Sequence, residues 1–217
     1  TQSRSSAASD VYKRQGYHVG HIDKGCTPMK FVDGRTDPAG QKFKNFKEFM
    51  DKRADGKPFC FWFGSHDAHR AYEKDSGVES GMNPKDVTLP GSLPDDEVVR
   101  KDICDYYFEV QRFDHRLGKM LSVIEERGEL ENTLVVISGD NGLPFPRGKV
   151  EIYDEGTHVP LAISWPAVIK GGRVLDDFVN LAELGPTFME AAGLKPLKTM
   201  TTKSFLNILM SNKQGPV

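Results

Sequence analysis

An α/β fold, with a central, mostly parallel sheet flanked by helices, is predicted by three stretches of this 217-residue chain. The apolar, β-branched run Leu134-Val135-Val136-Ile137 stops abruptly at Ser138-Gly139-Asp140-Asn141-Gly142. A second run, Pro58-Phe59-Cys60-Phe61-Trp62-Phe63-Gly64-Ser65, empties into His66-Asp67-Ala68-His69-Arg70. Both read as strands covered on two faces. Between them, Ile103, Tyr106, Val110, Phe113, Leu117, Met120, Leu121 and Ile124 mark one face of a long helix. It starts at Asp95 or Asp96, carries an acidic first turn and stops at Gly128. The charges opposite that stripe read as a solvated face, and the helix followed by residues 133–138 makes one αβ unit of a parallel sheet.

The remaining elements follow in chain order. Residues 1–15 carry a Ser/Ala cluster and read as a non-native or disordered segment, set aside from the fold. Gly16 to Gly25 alternates polar and apolar residues and predicts a short strand that ends at Lys24. Residues 31–41 are dense in Asp, Gly, Arg and Pro and form a loop, after which Phe43, Phe46, Phe49 and Met50 recur at helical spacing as core residues. Residues 71–94 are polar with little periodicity and predict an irregular excursion of the kind that often carries selectivity. Leu161-Ala162-Ile163-Ser164-Trp165-Pro166 reads as a further strand, residues 186–192 as a helix closed by Gly193, and residues 202–210 as a second helical patch.

Composition narrows the function classes. A formal net charge of −2 gives no reason to expect nucleic acid or an anionic membrane surface as partner, and no apolar run is long enough to span a bilayer. Cys26, Cys60 and Cys104 are too few and too widely spaced for a disulfide framework or a zinc pattern.

The chemistry gathers where the two apolar runs finish. Ligands of open α/β sheets sit at the carboxyl ends of the strands. Asp140 and Asn141 offer hard oxygens suited to Ca²⁺ or Mg²⁺, although Asp-Asn-Gly is equally the composition of an ordinary turn. The continuation Leu143-Pro144-Phe145-Pro146-Arg147-Gly148-Lys149 brings two cations back toward the acid and amide, an arrangement that wants an anion. His66 and His69 make a weak metal motif by themselves, because zinc motifs put their histidines on a helix with a further ligand. A hydrogen-bonded structural histidine and a solvated Lys24 are the plain alternatives for those positions.

Taken together, Ser138-Gly139-Asp140-Asn141-Gly142, Lys149, the run from Tyr153 to Leu161 and His66-Asp67-Ala68-His69-Arg70 resemble the type I sulfatases, near the heparan N-sulfatase or sulfamidase-like branch. The resemblance implies an alkaline-phosphatase-like sandwich, of which residues 16–217 would be a partial catalytic domain truncated at both ends. It also implies hydrolysis of a sulfate ester or sulfamate, on a small-molecule or glycan sulfate substrate. By the same match Asp140 and Asn141 would hold Ca²⁺, or Mg²⁺ in its place. Lys24 and Lys149 would contact sulfate oxygens, His69 would serve the leaving group, and Arg70 and Arg147 would shape the pocket. Ala68 stands where the family pattern has Pro, Asp23 where it has Gly, and Cys26 where it has His or Trp. Cys26-Thr27-Pro28-Met29-Lys30 is rejected as the formylglycine motif: it ends in Lys rather than Arg, and it overlaps an element that the family places downstream. Formylglycine is therefore expected upstream, outside this chain. Family habit favours a periplasmic or extracellular location. The alternatives are a phosphoric or phosphonic ester hydrolase of the same superfamily, or a non-catalytic binder of sulfated glycans.

Overall fold

The computed structural model describes residues 11–26 and 37–211, and the chain divides into two compact units, one formed by Thr1–Ser65 with Pro166–Val217 and the other by His66–Trp165. In the first unit, β1 (His18–Asp23) lies between β2 (Gln41–Lys42) and β3 (Phe59–Gly64), parallel to both, with His18 opposite Phe59 and Asp23 opposite Gly64. The predicted aromatic helix is α1 (Phe46–Asp51), opened by Asn45, whose side chain accepts from the Glu48 N–H at 2.8 Å. Phe49 and Met50 are fully buried. The Phe49 ring sits 4.4 to 6.1 Å from the rings of His18, Phe43, Phe46, Phe59 and Phe61, so this helix face and the β1–β3 pair share one aromatic core. Phe43 belongs to that core from just before the helix.

Strand β3 is half-buried, with Trp62 exposed, where full cover on two faces was expected. The aromatic core covers the side that Phe59 and Phe61 present. Tyr12, within the segment set aside on sequence grounds, is buried; it stacks on Tyr17 at 4.8 Å and its hydroxyl donates to the Phe188 carbonyl. Helix α5 (Leu184–Ala191) ends at Gly193 as predicted, and α6 (Leu206–Met210) falls inside the predicted patch. Thr187 joins the two, accepting from the Phe205 N–H at 3.1 Å while donating to the Glu183 carbonyl.

In the second unit, α3 (Glu97–Glu126) has the predicted bounds: Asp96 accepts from the Val98 N–H at 2.8 Å, and Gly128 ends it in the left-handed region. Its faces differ from expectation. Val110 is exposed, whereas Asp105 and Glu109 are buried rather than solvated. The reason is the backbone packed on them. Asp105 accepts from the N–H groups of Asp75 and Gly77, at 3.0 and 2.8 Å, and so caps the short α2 (Ser76–Glu79), which the irregular excursion contains. That excursion also contributes Val87, which packs with Ile103, Cys104 and Phe145.

The expected αβ unit is corrected in one respect. Strand β4 (Val135–Ser138) pairs antiparallel with β5 (Leu161–Ser164), Val135 opposite Ser164 and Ser138 opposite Leu161. A parallel neighbour would need a crossover helix between them, and the intervening chain supplies only the single-turn α4 (Asp154–Thr157). β5 alternates between half-buried and exposed residues, as a strand covered on one face does. Among the described residues no disulfide joins Cys26, Cys60 or Cys104, and no helix is long and apolar enough to cross a membrane.

Candidate functional site

Strand β4 delivers Asp140 and Asn141 into a tightly folded loop. Asp140 is exposed, and the half-buried Asn141 spends its amide nitrogen on the Gly142 carbonyl at 2.8 Å, leaving the side-chain oxygen as an acceptor or metal ligand. Gly142 is required here because a Cβ would lie 1.9 Å from the Glu155 carbonyl oxygen, and Gly148 because a Cβ would lie 2.2 Å from that of Leu143. Phe145 plugs the loop into the core of its unit, and the Lys149 N–H donates to the Leu143 carbonyl at 2.9 Å. Lys149 is thereby held at the mouth of the loop that begins with Asp140.

The second limb is the segment that follows β3. Asp67 is almost fully buried and accepts from Arg112 at 3.1 Å and Arg116 at 3.4 Å, both on α3. Ala68 sits at φ +71°, a conformation closed to proline, so Ala in place of the family's Pro accompanies a backbone that Pro could not adopt. His69 closes a turn onto the His66 carbonyl at 3.1 Å. Its Nδ1 bonds the Arg70 carbonyl, which can only accept, so Nδ1 carries the proton and Nε2 is the reactive nitrogen.

The two limbs meet. His69, Arg70, Pro144, Phe145, Lys149 and Val150 line one cleft of about 390 Å³. Arg70 is held on several sides: its terminal nitrogens reach Asp102 at 3.0 and 2.6 Å, its Nε donates to the Pro144 carbonyl at 2.9 Å, and its guanidinium lies 4.7 Å from the ring centroids of both Tyr72 and Phe145. The Asp102 hydrogen bonds raise the Arg70 pKa above its ordinary value. Arg147, at φ +66°, is exposed with its guanidinium 5.7 Å from the Tyr153 ring, outside the cleft lining. Lys24 belongs to the first unit, where it follows β1 and its N–H donates to the Gly64 carbonyl at 2.8 Å. Asp102 was not legible as a site residue in the sequence, since it is one of many charges on a long helix and its partner is 32 positions away.

The residues fit a hard divalent cation in kind, through the adjacent oxygens of Asp140 and Asn141. They fall short in number. Ca²⁺ takes about 6–8 oxygen ligands, and among the described residues no group of three or more His, Cys, Asp or Glu is placed to hold a metal.

Known proteins resemble this chain in sequence and in fold. The family model described as Sulfatase matches residues 9–194. The human N-sulphoglucosamine sulphohydrolase is 34% identical over 158 residues, covering 63% of this chain and 32% of that protein. An ulvan-active sulfatase of Formosa agariphila is 30% identical over 142 residues, covering 65% of this chain and 24% of that protein. The chain thus spans about a third or less of the length of these curated relatives. Among solved structures, a protein in complex with its substrate D-glucosamine-2-N,6-O-disulfate superposes with a TM-score of 0.66 at 16% identity, over 96% of this chain and 65% of that one. A phosphonate monoester hydrolase of Silicibacter pomeroyi gives 0.53 at 18% identity, over 76% of this chain and 40% of that one.

Proposed function

The chain belongs to the sulfatase family, and from that premise we propose that the protein carrying it hydrolyses a sulfate ester or sulfamate on a sulfated carbohydrate. The observation that carries the proposal is the cleft in which His69 and Lys149 face one volume, on a loop that leads directly from Asp140 and Asn141. The similarity to a sulphohydrolase and the likeness to a structure holding a glucosamine disulfate support the substrate class.

In this reading Lys149 places its ammonium against the sulfate oxygens, and Arg147 takes a subsidiary position beside the same loop. His69, its Nδ1–H fixed on the Arg70 carbonyl, offers Nε2 to the departing oxygen or nitrogen, and hands over a proton there once Nε2 has first taken one up from solvent. Pro144, Phe145 and Val150 supply the apolar part of the cleft lining beside Lys149. Asp140 and Asn141 would hold Ca²⁺, which when bound supplies charge sharing with the sulfuryl group. Formylglycine, expected upstream, supplies the nucleophile in this family. Export to the periplasm or beyond fits the same reading.

The test uses the protein expressed from its complete reading frame, assayed for sulfate release from an aryl sulfate and from an N-sulfated sugar. Turnover is expected to disappear with chelator and in Asp140→Ala. Faster turnover of a phosphate or phosphonate monoester would replace the proposal with the related esterase activity. Binding of the sulfated sugar without turnover would leave a glycan binder.

A further inference from the structure

The guanidinium of Arg70 is already engaged by the protein. Of its five N–H groups, three are committed: two to the Asp102 carboxylate in a bidentate pair and one to the Pro144 carbonyl. Its guanidinium also lies within cation–π distance of two rings, Tyr72 from its own segment and Phe145 from the Lys149 loop. Asp102 neutralises its charge and does not line the cleft. Lys149, by contrast, enters no ion pair among the described residues and is left to meet an anion.

These contacts join three parts of the second unit that have no hydrogen-bonded sheet between them. Arg70 is covalently next to His69, its carbonyl accepts the His69 Nδ1–H, its side chain grips α3 through Asp102, and it reaches the loop of Lys149 at Pro144 and Phe145. We propose that Arg70 and Asp102 form a positioning clamp that fixes His69 against Lys149 across the cleft, and that Arg70 does not serve as a ligand of the substrate. Lysine could not replace the arginine, because a point charge cannot serve a carboxylate fork, a carbonyl and two ring faces at once. Losing the clamp lets the proton donor drift relative to the sulfate oxygens, and displacement of a reacting group by about 1 Å costs on the order of 10²-fold in rate.

The proposal rests on the sulfatase reading, and the experiment separates the two. In the full-length protein, Arg70→Ala, Asp102→Ala and the double variant are compared for kcat and KM on an aryl sulfate. Each single variant is expected to lose about 10²-fold in kcat with little change in KM, and the double variant to be no worse than the poorer single one, since both break one clamp. A raised KM in Arg70→Ala with Asp102→Ala close to wild type would make Arg70 a substrate ligand and overturn the proposal. In parallel, the His69 ring resonances are followed by NMR without substrate. They are expected to move in Asp102→Ala, although residue 102 does not touch the cleft. Unchanged resonances overturn the clamp whatever the activity. A wild-type protein that releases no sulfate, with resonances that do move, sinks the sulfatase reading and leaves the clamp standing.

Discussion

Glu109 is the buried carboxyl of the second unit on which pH acts most directly. Burial raises its pKa above the ordinary carboxylate range, Arg112 at 2.7 Å opposes the rise, and Asp67 adds to it. Between its ordinary and its folded value, the folded chain keeps a proton that the unfolded chain has released. The stabilisation is therefore complete below the ordinary Glu value and is lost as pH climbs through the folded one. Glu109→Gln should flatten that decline when the melting temperature is followed against pH by calorimetry; an unaltered slope would assign the dependence to another group. At this scale the sequence revealed residues that directly follow an apolar run, such as Asp140 and His69, because a strand end is visible locally. It concealed the Arg70–Asp102 and Asp67–Arg112 pairs, whose members lie 32 and 45 positions apart and look like any other surface charges.

Elements were legible where their signals are local, and misjudged where tertiary partners decide. Helix α3 runs between the acid and the glycine that announce it, yet which of its faces is buried depends on the backbone of residues 75–77 seeking the Asp105 carboxylate. The apolar runs announce β3 and β4, but not that β4 would pair antiparallel with β5. Helix α1 allows a direct test of the core that seats β1 and β3. Phe49 is fully buried among five rings, so Phe49→Ala should cost about 3–5 kcal/mol, read from urea denaturation, while Asn45→Ala should cost only about 1 kcal/mol. Equal and small losses would mean that the aromatic cluster does not hold this unit together.

Over the whole molecule, the net charge of −2 gives no reason for the chain to attract a polyanion, so the proposed recognition of an anion would rest on Lys149 in the cleft. On the proposed reading, Asp140 and Asn141 would supply only part of a coordination shell. Calcium at about 100 times its dissociation constant should stabilise the full-length protein by about 2.7 kcal/mol, seen as a rise in melting temperature that Asp140→Ala removes. A rise that survives this substitution would place the ion elsewhere. The loop between β4 and α4 also has a bearing on redesign. In a randomised library, positions 142 and 148 should return glycine alone, whereas Val150, 91% exposed and at the cleft, should accept wide variation. The anchor of the ammonium group and the wall that would meet the rest of the proposed sugar substrate are thus separable, and specificity could be evolved at the second without disturbing the first.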